Sequence, residues 1–274
     1  MATLSDLRKR LRGIQTICQL AGAMRSVSSA KLARLNSAVY AFSAYAQGCR
    51  DLMQASGAVL PPARGSEERP LIVLVSGNRG LCGSYHNELF SFFRSIPETE
   101  TGDPLYLACG RMAAAHLRER GIAFEEEFEI SDVPEFSEAE ALTDRILSIY
   151  TGGKVNRVLF VSSEAVNAMK QTPICQELLP GENGGDPQDL IWLPDPETVH
   201  EGLAEFCLRA RVYYLLLRCA MGVQGATLSS MRSAYENGTE SAAELEKAIN
   251  RMRQAQVTNS VIETSTGLWS EREG

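Results

Sequence analysis

The chain has 274 residues, 44 % hydrophobic and 22 % charged, with 27 Lys and Arg against 34 Asp and Glu for a net charge of −7. That length supports one large or two small cored domains, and no apolar run approaches the ~18 residues of a membrane-crossing helix. The seven cysteines are scattered and lack CxxC or Cys/His ligand spacing, which argues against a disulfide framework or zinc site and for reduced core thiols.

Residues 1–60 contain no proline, and Leu4, Leu7, Leu11, Ile14, Ala21 and Met24 recur at intervals that fit one helix face. Leu32, Leu35, Phe42 and Tyr45 extend the stripe. Arg8, Lys9, Arg10 and Arg12 interrupt the first apolar positions, so no secretory signal is read there. This segment holds eight basic residues against two acidic, whereas residues 61–196 hold 11 against 22. A basic helix of this kind suits nucleic acid, anionic lipid or an acidic protein surface. Nucleic acid is disfavoured, because no zinc or RNP motif accompanies it and the acidic remainder would repel phosphates. An acidic protein partner is expected.

All eleven prolines fall between Pro61 and Pro196, which separates a differently built middle from two helical ends. Residues 61–70 read as a linker. The run Leu71-Ile72-Val73-Leu74-Val75 reads as a buried strand, followed by a glycine-bearing turn and a helix to about residue 95. Strands are expected at 104–109, 122–130 and 155–161, the second of these edge-like because of Glu125, Glu126, Glu127 and Glu129. Helices are expected at 111–120 and from a Ser137/Glu140 capping box to about residue 150. The alternation predicts an α/β domain with a largely parallel sheet. Residues 190–193 read as a possible further strand, and 180–187 as a mobile loop. From residue 197 to about 268 the chain is again free of proline, with Leu203, Phe206, Ala210, Tyr213, Leu217 and Ala220 on one face, and the pattern returns at Leu245, Ile249, Met252 and Ala255. The expected domains are therefore a first shaft helix (1–60), an α/β domain (61–196) and a second shaft helix (197–274). The helices are expected to pair antiparallel with numbers summing to about 248, which sets Leu11 near Asn237 and Met24 near Gln224 and leaves residues past about 245 unpaired.

Gly77, Gly80 and Gly83, with Arg79 between them, lie between a strand and a helix, where backbone N–H groups can cradle phosphate. Their G-x-x-G-x-x-G spacing is neither the dinucleotide fingerprint nor a P-loop, so the turn reads as structural. His86, His116 and His200 stand apart from any nucleophile motif. No catalytic constellation, cofactor or metal site is expected.

Several stretches together resemble the gamma subunit of the F-type ATP synthase. Leu7-Arg8, Ala23-Met24 and Lys31-Leu32 resemble the opening helix of that family. Ser76-Gly77-Asn78-Arg79-Gly80-Leu81-Cys82-Gly83 resembles its D-R-G-L-C-G turn, and Gln171-Thr172-Pro173 with Leu178-Leu179-Pro180 its later loop. Met231, Asn237, Asn250, Arg253-Gln254-Ala255, Thr258 and Glu263 resemble its closing R-Q-A-x-I-T helix. The resemblance implies an α/β fold class, with a long antiparallel two-helix coiled coil from the chain ends plus a central Rossmann-like α/β domain. It implies a central-stalk rotor without bond chemistry of its own, present in a single copy. The implied partners are alpha and beta subunits, an epsilon subunit and a c-ring, and the implied place is the cytoplasmic face of the cell membrane. Arg25, Arg253, Gln254 and Thr258 are implied to contact the beta subunits.

The departures cluster. Gly22 and Arg25 stand where the family has Lys and an acidic residue, and Val223 and Thr227 where it has Glu and Arg. On the expected register these four share one level, which predicts a compliant shaft there with Arg25 as the remaining charged contact. Two competing readings are a nucleotide- or phosphate-binding enzyme using the Gly77–Gly83 turn, and a coiled-coil scaffold for an unrelated acidic partner.

Overall fold

The computed structural model describes residues 3–58, 60, 69–97, 99, 103–166, 170–180 and 195–270. Among these the elements run α1 (Leu4–Ser56), β1 (Pro70–Val75), α2 (Tyr85–Arg94), β2 (Leu105–Cys109), α3 (Arg111–Glu119), β3 (Glu126–Phe128), α4 (Phe136–Thr151), β4 (Arg157–Ala165), β5 (Gln171–Leu179) and α5 (Pro196–Ser270). Thr3 starts α1: its hydroxyl accepts the Asp6 N–H at 3.2 Å while the Asp6 carboxylate accepts the Thr3 N–H at 3.0 Å. These reciprocal bonds satisfy donors that a helix start leaves unpaired, and they hold the Asp6 carboxyl below its usual range. The chain forms two compact units, Met1–Ser26 with Ser230–Gly274, and Val27–Ser229.

In the unit Val27–Ser229 the sheet order is β3-β2-β1-β4-β5. Strands β3, β2, β1 and β4 are parallel, and β5 pairs antiparallel with β4. The central strand β1 is buried on both faces. Leu71, Val73 and Val75 point into a core with α4 and with Leu208, Val212, Leu215 and Cys219 of α5. Ile72 and Leu74 point into the opposite core with α2, α3, Val223 and Ala226. The period of two along β1 thus divides its side chains between helices on both faces. Ion pairs fix α5 to this domain: Arg209 to Asp144 at 2.8 Å and Arg218 to Glu164 at 2.9 Å. Lys31 of α1 pairs with Asp132.

The sequence misplaced several details. Strand 122–130 shrinks to Glu126–Phe128, whose acidic side is neutralised by Arg118 on Glu127 and Arg145 on Glu126. Glu138, not Glu140, closes the first turn of α4, accepting the Glu135 N–H at 2.6 Å and the Ser131 N–H at 2.7 Å. The segment resembling a loop at 171–180 is mostly the strand β5, where Pro173 is tolerated because the strand lies at an edge. The linker 61–68, the possible strand 190–193, loop residues 181–187 and the Glu263 side chain lie outside the described residues.

The register also differs. Both units pair α1 antiparallel with α5: Phe42 meets Tyr213 and Cys49 meets Cys207 in one, Cys18 meets Gly238 and Gly22 meets Tyr235 in the other. Those pairs total 255 to 257 rather than 248, a shift of about two helical turns. An apolar stripe that repeats every three or four residues tolerates such a shift. Small residues select among the alternatives. Gly238 leaves space for the Cys18 sulfur, and Gly22 lies 3.5 Å from the Tyr235 ring, measured from where its Cβ would be.

Candidate functional site

The glycine turn follows β1, at the point where strand order reverses between β1 and β4. In open α/β sheets this crevice is where ligands bind. Here α5 fills it. A Cβ on Gly77 would lie 2.9 Å from Val223 Cγ1, and one on Gly222 would lie 3.2 Å from the Ser163 carbonyl and 3.4 Å from the Tyr85 ring. Gly83 has a φ of 62°, which favours glycine, whereas Gly80 faces open space. Arg79 is exposed, and its carbonyl accepts the His86 Nε2–H at 3.0 Å. Burial pushes the His86 imidazole below its usual range. Asn78 bridges two elements: its amide donates to the Ile130 carbonyl and its oxygen accepts the Arg111 N–H at 3.1 Å. The turn is packed against α5 at Gly77 and open at Arg79, Gly80 and Gly83.

The other predicted residues lie in the unit Met1–Ser26 with Ser230–Gly274. Arg25 places its guanidinium 4.8 Å from the Tyr235 ring centroid, an attractive cation–π arrangement. Extended along its own register, α1 begins opposite residue 252 or 253. Ile249 is still buried, whereas every residue from 253 to 262 is exposed. The fully exposed stretch of α5 therefore starts at about residue 253, not 245. Arg253, Gln254 and Thr258 fall on adjacent turns of that exposed segment, and the Thr258 hydroxyl donates to the Gln254 carbonyl at 2.9 Å. Val257 and Val261 share the segment at 58 % and 62 % exposure. Eighteen residues of α5, about 27 Å, separate Tyr235 from Arg253, so Arg25 is not part of that patch.

The four-residue level is likewise corrected. Gly22 and Arg25 face Tyr235, while Val223 packs on Gly77 in the core behind α2. The Thr227 hydroxyl donates to the Val223 carbonyl at 2.8 Å. Val223 and Gly222 are thus matched to the glycine turn and β4, and α5 runs without a break through all of its glycines.

The sequence reading missed Tyr235, although an aromatic residue amid small ones on a helix pair is the signal that would have found it. Among the described residues no cluster of His, Cys, Asp or Glu could hold a metal ion, and no helix is long and apolar enough to cross a membrane.

The family model described as ATP synthase matches residues 3–270. The chain is 28 % identical to the ATP synthase gamma chain of Moorella thermoacetica over 281 residues, covering 97 % of this chain and 98 % of the relative. It is 29 % identical to the ATP synthase gamma chain of Desulforamulus reducens over 280 residues, with the same coverage. Among solved structures, a chain of the Euglena gracilis mitochondrial ATP synthase, in an OSCP/F1/c-ring assembly, superposes with a TM-score of 0.72 at 15 % identity. That match covers 99 % of this chain and 95 % of the other, and shows the fold.

Proposed function

The chain belongs to the ATP synthase family as a divergent gamma chain, and from that premise we propose that it is the central-stalk rotor of such a complex. The observation that carries this reading is the exposed stretch of α5 from Arg253 to Val261. There Arg253, Gln254 and Thr258 stand exposed beside Val257 and Val261, the last two more than half exposed. Burying an aliphatic side chain of this size stabilises by about 1.5–3 kcal/mol, so a helix that leaves two in water on adjacent turns is completed by a partner that surrounds it. The polar trio supplies directed hydrogen bonds to beta-subunit loops, and the valines supply a low-specificity bearing surface.

The mechanism is mechanical. An antiparallel pair of unlike helices has no rotational symmetry, so each orientation presents different side chains to surrounding beta subunits. The start of α1 carries the exposed Arg8, Lys9, Arg10 and Arg12, which meet acidic surfaces through screened, long-range attraction. A change in orientation alters the free energy of each beta-subunit conformation, and hence its nucleotide affinity. Torque needs a rigid connection to the shaft. Within the unit Val27–Ser229, burial of α5 in both cores and the Arg209 and Arg218 ion pairs hold this helix to the α/β domain.

In this reading the chain makes and breaks no bonds, and the glycine turn holds α5 rather than a ligand. Residues 1–60 and 197–274 supply the shaft and 61–196 the domain that meets an epsilon subunit and a c-ring. The chain is peripheral on the cytoplasmic face of the membrane, and Arg25 is a further beta-subunit contact. Co-expression with alpha and beta subunits tests the proposal: a single copy of the chain should co-elute with them as one complex. Recovery of an alpha–beta complex from which the chain is absent would reject it.

A further inference from the structure

Cys49 of α1 and Cys207 of α5 face each other in a small core with Ala210, each only 6 % exposed. The Cys207 thiol donates to the Cys49 carbonyl at 3.6 Å, which sets the two sulfurs on opposed turns of antiparallel helices. Both line a cavity of about 820 Å³ whose wall also includes Leu179, Tyr214, Arg218 and the exposed Cys175 of β5. The pair is thus hidden from bulk solvent yet open to a small reagent through the cavity. The other cysteines, Cys18, Cys82, Cys109 and Cys219, do not line it.

We propose that Cys49 and Cys207 form a redox-modification site, which a small-molecule disulfide entering this cavity converts into a cross-link between α1 and α5. The Cys49 thiolate attacks one sulfur of the reagent, forming a mixed disulfide and expelling the other sulfur as a thiolate, which takes up the proton that Cys49 gave up. The Cys207 thiolate then attacks the Cys49 sulfur, closing the Cys49–Cys207 bond and expelling the second reagent thiolate, which takes up the Cys207 proton. Two protein thiols are oxidised by two electrons and one disulfide is reduced to two thiols. Burial and the neighbouring Cys49 sulfur push the Cys207 thiol up, which makes the exchange slow at neutral pH. The cross-link fixes the α1–α5 register in this unit against slippage by a helical turn, the same ambiguity that the apolar stripes leave open.

The test treats the full folded chain with glutathione disulfide and counts free thiols after denaturation. The seven thiols should fall to five, and non-reducing peptide mapping should join the peptides that carry Cys49 and Cys207. The rate should rise up to about tenfold per pH unit as thiolate forms, with circular dichroism unchanged and reversal by a dithiol. Cys49→Ser and Cys207→Ser should each abolish the cross-link; the mapping is done on the unaltered chain, so it decides the matter even if either variant misfolds. Seven thiols persisting at the highest pH, an adduct on Cys175 or Cys18 alone, or a cross-link that involves Cys175 would each overturn the proposal.

Discussion

Gly77→Ala should loosen the join between the glycine turn and α5. The added Cβ would stand 2.9 Å from Val223 Cγ1 and 3.3 Å from Cγ2, against an optimum of about 3.5–4.0 Å for carbon pairs. Val223 cannot readily turn away, because a β-branched side chain in a helix has one strongly preferred rotamer. Overpacking of this kind costs about 1–3 kcal/mol. Val223→Ala alone removes two buried methyl groups at about 0.8 kcal/mol each plus a cavity term, or about 2 kcal/mol. In the double variant the new methyl enters the space just vacated, so its loss should be no larger than that of Val223→Ala. The two changes should therefore couple by about 1–3 kcal/mol. Urea unfolding of the full chain, followed by circular dichroism with m-values compared, measures all three variants. Additivity within about 0.5 kcal/mol would show that the turn and α5 do not bear on each other.

Replacing Arg253, Gln254 and Thr258 together by alanine should leave stability within about 0.5 kcal/mol, since all three are exposed, while weakening capture of the chain by beta subunits. Equal capture with equal stability would remove these residues from the interface. His86 and His116 flank Phe90, with ring centroids 5.8 Å and 4.0 Å from it, and burial pushes both imidazoles down. The unfolded chain therefore binds protons more readily, so their contribution is complete above about pH 6.5 and is lost as pH falls. The urea midpoint should drop on acidification and drop less in His86→Gln/His116→Gln; an identical slope in both proteins would contradict this. Gly238→Ala adds about 1 kcal/mol of helix propensity but sets a Cβ 2.5 Å from the Cys18 sulfur. The gain should appear in a Cys18→Ala background and not in the unaltered chain; the same gain in both would refute the close approach.

Most of the architecture was legible because it follows from local rules. Confinement of proline to the middle located both long helices, and the β-branched run at residues 71–75 located the central strand. β5 escaped because Pro173 and the paired, non-alternating run of polar and apolar residues in Gln171–Leu179 lack the period of two that marks a strand. The helix register escaped for a different reason. Stripes of similar period match after any whole-turn shift, and the choice rests on single close contacts such as Cys18 on Gly238. That error carried over to the site: Arg25 was set beside Val223, when Tyr235 is its neighbour and Val223 belongs to a core. Arg253, Gln254 and Thr258 were named through the resemblance to the closing helix of the gamma family, and all three lie on one exposed stretch of α5.

Rotation itself is the most direct test of the rotor reading. The chain would carry a probe fixed to an exposed position of its α/β domain and be assembled with immobilised beta subunits and their alpha partners. On addition of ATP the probe should turn in one direction, in steps that follow nucleotide turnover. A complex that hydrolyses ATP at full rate while the probe stays still would contradict the account.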